Sequence, residues 1–197
     1  MGFLTKNKEQ KQELSQRQIL ETKYRNARSN LLVVLAFTIV NIILSVANAN
    51  TYFLFSAYVP YMLADLGMML CGMYPQEYYG EELAGIEFLD KGFLAVMLAI
   101  AGVILVLYLL SWIFSKKNRR GWMIFALVLF AIDTALLLLM NGIVLDMILD
   151  YVFHGWVIAS LISGIVSVGK LKKLPEDAGC FEQVTDNSDG ASLLPEE

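Results

Sequence analysis

The stretch YFLFSAYVPYMLADLGMMLCGM, residues 52–73, is long and apolar enough to cross a bilayer, yet Pro60 and Asp65 interrupt it. Whether it crosses decides the topology of everything after it. A transmembrane helix needs about 20 mostly apolar residues, and four other stretches come close to this: 31–49, 92–114, 122–140 and 143–168. Lys and Arg collect on cytoplasmic flanks, so charge arbitrates. If 52–73 does not cross, the basic N-terminus, KKNRR at 116–120 and GKLKK at 169–173 share the cytoplasmic side, and the acidic run 74–90 lies outside. If it crosses, KKNRR is stranded outside and the acidic run lies within. The charges favour four spans, with 52–73 as a re-entrant or interfacial segment broken by Pro60 into two short helical halves. Tyr52, Phe53, Phe55, Tyr58, Tyr61, Tyr74, Tyr78 and Tyr79 crowd this region, as expected of residues at headgroup level.

Composition agrees. Of 197 residues, 57% are hydrophobic and 17% charged, which is too apolar for a soluble domain of this size. The net charge of −4 averages segments of opposite sign: residues 1–30 carry seven bases and three acids, 74–90 five acids and no base, and 174–197 seven acids and no base. The expectation is an all-α integral membrane protein with four transmembrane helices and an outer re-entrant or interfacial segment. Residues 1–28 form a basic cytoplasmic segment, 29–170 the transmembrane domain with an outer segment at 50–91, and 171–197 an acidic disordered tail. Both termini are cytoplasmic, in a bacterial cell membrane. SVANAN (45–50) has small residues that signal peptidase accepts, but the 30-residue charged leader and Asn41 argue for an uncleaved anchor. Lys6 stands where a myristoylation motif needs Ser or Thr.

Polar residues inside apolar spans default to a functional hypothesis, because a carboxylate at membrane depth costs about 2.5–3.5 kcal/mol even on lenient scales. In the fourth span Asp146, Asp150 and His154 recur every four residues and so share a helical face. Ser160 extends that stripe, and Gly155 offers room for a neighbouring helix. At about 1.5 Å per residue, Asn41, Asp133, Asp150 and His154 reach similar depths in the outer half of the bundle. At least one of Asp133 and Asp150 is expected to hold or share a proton at neutral pH. Asp65 either dips into the outer vestibule beside Asp146 or marks the wet side of an interfacial helix. A shift of 92 residues lays RNARSN (25–30) over KNRRGW (117–122) and Asn41 over Asp133, a pattern shared by duplicated two-helix units and by any two spans that begin with basic anchors.

Three readings of the cluster stay open. It handles protons, cations or a small solute in a transporter or channel-like subunit; it ligates a metal through Asp150, His154 and a third carboxylate; or it is non-catalytic and only fixes helix packing in a structural or regulatory subunit. No HExxH or GxSxG motif is present, so enzymatic activity is not the expectation and no cofactor can be named. Cys71 and Cys180 fall on opposite sides, which excludes a disulfide between them. The acidic run lacks calcium-loop spacing and reads as an outer lid or docking surface. The partners expected are the lipid bilayer, another copy of the chain or a membrane subunit; one Tyr in the basic arm is too little stacking surface for nucleic acid.

Overall fold

The computed structural model describes residues 2–49, 51–80, 87–116 and 119–174. Most of the expected acidic tail, with Cys180, lies outside the described residues, as do 81–86 of the acidic run. Among the described residues there are five α-helices: α1 Gly2–Val46, α2 Tyr58–Leu70, α3 Lys91–Phe114, α4 Arg120–Asn141 and α5 Ile148–Leu171. Short 3-10 turns cover Gln76–Tyr78 and Leu145–Met147. Four helical stretches are long and apolar enough to cross a membrane: Ser15–Val46, Lys91–Phe114, Arg120–Asn141 and Leu145–Leu171.

The first of these runs on without a break from the basic arm, because nothing between Phe3 and Val46 interrupts a helix. Its buried face is read off the spacing of Tyr24, Ala27, Leu31, Val34, Thr38, Asn41 and Ser45, three or four residues apart. That face packs on the matching stripe of α5, which includes His154, Val157, Leu161, Gly164 and Val168. A Cβ placed on Gly164 would lie 2.5 Å from the Ala27 Cβ, so the two helices approach as only glycine permits. Gly155, expected to serve that purpose, faces open space.

Asn48 stops α1. It takes φ 54°, the Asn48 N–H donates to Ser45 O and the Ala49 N–H to Leu44 O, the paired bonds of a helix ending in a left-handed residue. SVANAN is therefore a helix stop in structural terms. The expected break at Pro60 is corrected. Residues 51–57 are not helical, and α2 is a single helix with Pro60 in its first turn, where the missing N–H would have had no helical partner anyway. At 13 residues, α2 is about 20 Å long, short of a bilayer's roughly 30 Å.

Contacts trace a segment that runs back along α1 and then returns. Phe53 meets Asn41, Ala57 meets Thr38 deeper along α1, and then α2 returns until Tyr74 meets Ser45. Thr38 and Asp133 each lie eight residues inside their helix ends, about 12 Å into the bundle. At the opposite end, the Tyr24 hydroxyl donates to Ser115 O and the Arg28 guanidinium to Ser115 Oγ and Trp112 O, tying α1 to α3.

Candidate functional site

The polar residues of α1, α4 and α5 converge on the turning point of the re-entrant segment. The Asn41 side chain grips one residue at both ends: its Oδ1 accepts from the Phe53 N–H at 2.8 Å and its Nδ2 donates to Phe53 O at 2.7 Å and to Ser56 Oγ at 2.9 Å. Thr38 Oγ1 accepts from the Ala57 N–H at 2.7 Å. Asp133 completes the sequence, accepting from the Tyr58 N–H through Oδ2 at 2.9 Å and from the Val59 N–H through Oδ1 at 2.8 Å.

This carboxylate caps α2 from another helix. The N-cap residue Ala57 has no side chain able to do so, and helix N-termini favour negative charge as well as hydrogen-bond acceptors. In transporters with broken helices that position receives a substrate anion. Here the protein's own Asp133 fills it.

His154 packs against the cap. Its Nδ1 lies 2.8 Å from the Asp150 carbonyl and its Nε2 3.4 Å from Asp133 Oδ2, while its ring stacks on Phe130 at 5.0 Å. A carbonyl only accepts, so Nδ1 carries a proton. The Asp150 side chain is buried but makes no hydrogen bond among the described residues.

Of the six expected site residues, Asp133 and His154 meet directly, Asp150 joins through its carbonyl, and Asn41 holds the same segment separately, at Phe53 and Ser56. Asp146 does not share their face. It is exposed in the 3-10 turn Leu145–Met147, whose tighter winding breaks the four-residue register before α5 begins. Asp65 sits elsewhere, in a cavity. Among the described residues no three of His, Cys, Asp and Glu are grouped to hold a metal ion. Thr38, Ser56 and Tyr108 were not legible as participants. The Tyr108 hydroxyl is buried without a hydrogen-bond partner among the described residues, and its ring meets the edge of Phe130.

The cavity, of about 560 Å³, opens where α1 ends and α2 returns; Asp65, Glu77 and the rings of Tyr52, Tyr61, Tyr74 and Tyr78 line it. Its members are tied to one another and to the turning point. The Tyr74 hydroxyl donates to Asp65 Oδ1 at 2.5 Å and lies 3.0 Å from Ser45 Oγ. Tyr52 OH lies 2.9 Å from the Ser56 Oγ that Asn41 also holds. The Tyr52 ring lies tilted against Tyr61 at 5.0 Å and Tyr74 against Tyr78 at 4.5 Å.

Burial first, then Asp65, pushes the Tyr61 hydroxyl up to about 12 from an ordinary value of 10.0, and burial followed by the hydrogen bond to Asp65 raises Tyr74. Both rings are neutral at physiological pH. A raised folded-state value means that stability linked to neutral Tyr61 is complete below pH 10 and lost as pH rises through about 12. Thermal melting from pH 8 to 12 is expected to show wild type losing stability relative to Tyr61→Phe only above pH 10. No protein-family model, curated protein or solved structure matches the chain.

Proposed function

We propose that the chain is an integral, multi-pass protein of the bacterial cell membrane that receives a small solute from the outer side, as a transporter or channel-like subunit, in the cavity beneath the end of α1. The observation that carries this reading is a tyrosine-walled, acid-bearing cavity beside a re-entrant half-helix. Its volume suits a small molecule, for which pockets of roughly 300–1,000 Å³ are usual. The buried Asn41–Asp133–His154 cluster anchors the half-helix, as the packing reading supposes; every described polar contact of Asn41 and Asp133 is spent on the re-entrant segment or on His154.

The bilayer reading rests on exposed apolar surface. Val96, Val103 and Val106 on α3, Val128 and Ile132 on α4, and Val152 and Trp156 on α5 are each about half exposed. A surface of that extent is stable against lipid and aggregates in water. The acidic residues Glu77 and Asp65 lie at the cavity end of the bundle and the basic residues Arg120 and Lys170 at the other, a distribution that supports an outside cavity.

A single cysteine at the cavity wall tests both parts. In a background with Cys71→Ala and Cys180→Ser, Thr51→Cys is expected to react with a membrane-impermeant maleimide on intact cells, and a bound solute is expected to slow that reaction. Labelling only after permeabilisation would reverse the topology. Equal labelling rates in every solute of a panel of amines, amino acids, sugars and metal ions would leave only the structural role.

A further inference from the structure

Resting on the solute-binding reading, we infer that the cavity selects an organic cation, a quaternary ammonium or alkylammonium group, which the faces of Tyr52, Tyr61, Tyr74 and Tyr78 surround while Asp65 and Glu77 supply the countercharge. Four observations converge on that class. The cavity's described lining contains two carboxylates and no base. Neither Asp65 nor Glu77 has a salt bridge among the described residues, so a half-buried carboxylate, Asp65, stands without a cation. Four of the eleven lining residues are tyrosines, and the negative face of an aromatic ring attracts a weakly hydrated cation. Asp65 is held by the Tyr74 hydroxyl and Tyr74 in turn by Ser45, so the countercharge is fixed in place before any ligand arrives.

The same features argue against other ligands. An anion would meet two carboxylates and no donor of positive charge. Calcium and magnesium favour several carboxylate oxygens around one point, and among the described residues no three of His, Cys, Asp and Glu are grouped. A neutral solute would leave Asp65 uncompensated. Quaternary ammonium chemistry has two sources at a membrane surface, a free solute such as choline and the headgroup of a phosphatidylcholine lipid, and the cavity opens at the level where either arrives.

The test is calorimetric titration of the full chain in an uncharged maltoside detergent with choline, tetramethylammonium and 3,3-dimethylbutan-1-ol, the neutral isostere of choline, at constant ionic strength. Choline and tetramethylammonium are expected to bind saturably and the isostere at least tenfold more weakly. Asp65→Asn, which keeps the oxygen that Tyr74 bonds, is expected to weaken choline binding at least tenfold. Tyr61→Leu, which removes the ring, is expected to weaken choline binding more than tenfold. Equal affinity for the isostere, or an unchanged Asp65→Asn, would overturn the proposal.

Nanodiscs separate the sources. Choline binding weakened more than tenfold in phosphatidylcholine discs relative to phosphatidylglycerol discs assigns the headgroup, and equal binding assigns the free cation. If sugars or amino acids of no net positive charge bind and slow labelling at Thr51→Cys while ammonium ions do not, the ligand class is wrong and the solute site stands. If no solute and no lipid produces heat or slows labelling, both readings fall together.

Discussion

Replacing Asp133 by alanine is expected to lower folding stability by about 3–5 kcal/mol, the range found when one partner of a buried charged pair is removed. Three groups lose their acceptor at once: the Tyr58 N–H, the Val59 N–H and His154 Nε2. Asp133 and His154 are each only 3% exposed, so the imidazole has little water to turn to. Asp133→Asn keeps one acceptor oxygen and is expected to cost less, about 1–3 kcal/mol, since a single buried donor is left unmatched. Asp150→Asn provides the contrast. That carboxylate has no described hydrogen bond, so removing its charge is expected to be neutral or stabilising. Reversible unfolding in mixed micelles, with amide exchange over residues 57–63, measures both. Loss of protection at the start of α2 in Asp133→Ala, with α3 still protected, is the local signature. Similar stabilities for Asp133→Ala and Asp150→Asn would mean that α2 does not depend on its cap.

The cap also bears on what was legible before any coordinates. Depth counting from the apolar runs brings Asn41, Asp133 and His154 to one level; Asp133 and His154 meet, while Asn41 reaches Phe53 and Ser56 instead. What they hold was hidden, since their partners are backbone groups of 53–59, and a backbone amide carries no label in the sequence. Thr38 was invisible for a related reason: a threonine in an apolar helix ordinarily bonds its own chain, as Thr38 does to Val34 O, and its second bond to Ala57 needs the fold. Asp146 misled because a four-residue repeat implies one face only while the helix is continuous, and the 3-10 turn at 145–147 intervenes.

Pro60 misled in the opposite direction. A proline inside an apolar run reads as a break, but at a first turn it is a favourable start, and only the non-helical course of 51–57 distinguishes the two. The tyrosines were noticed, though for their preference for the interface; that four of them face one cavity depends on α2 folding back on α1. Phe55 shows how constrained that return is. It is held at φ 68°, where a bulky side chain is disfavoured, by packing against Phe153 and Trp156.

Gly164→Ala is expected to destabilise the bundle by about 1–3 kcal/mol, the usual range for overpacking, even though alanine is the better helix former. The added Cβ would stand 2.5 Å from the Ala27 Cβ, and neither atom can move by changing rotamer, so the helices themselves must part. Separation strains the bond from Asn30 Nδ2 to Ser160 Oγ, 2.6 Å long. It also draws Thr38 and Asn41 on α1 away from His154 on α5, loosening the turning point of the re-entrant segment from both sides. Gly155→Ala is the internal control, because a Cβ there meets nothing within 4 Å; it is expected to be neutral or to stabilise by up to about 1 kcal/mol. Ala27→Gly in the Gly164→Ala background restores the room and is expected to recover most of the loss, less about 1 kcal/mol for a glycine inside α1. Thermal melting of the four proteins decides the matter: if Gly164→Ala melts with Gly155→Ala, the α1–α5 crossing has slack, and the stability of the re-entrant segment must come from α2 and α3 instead.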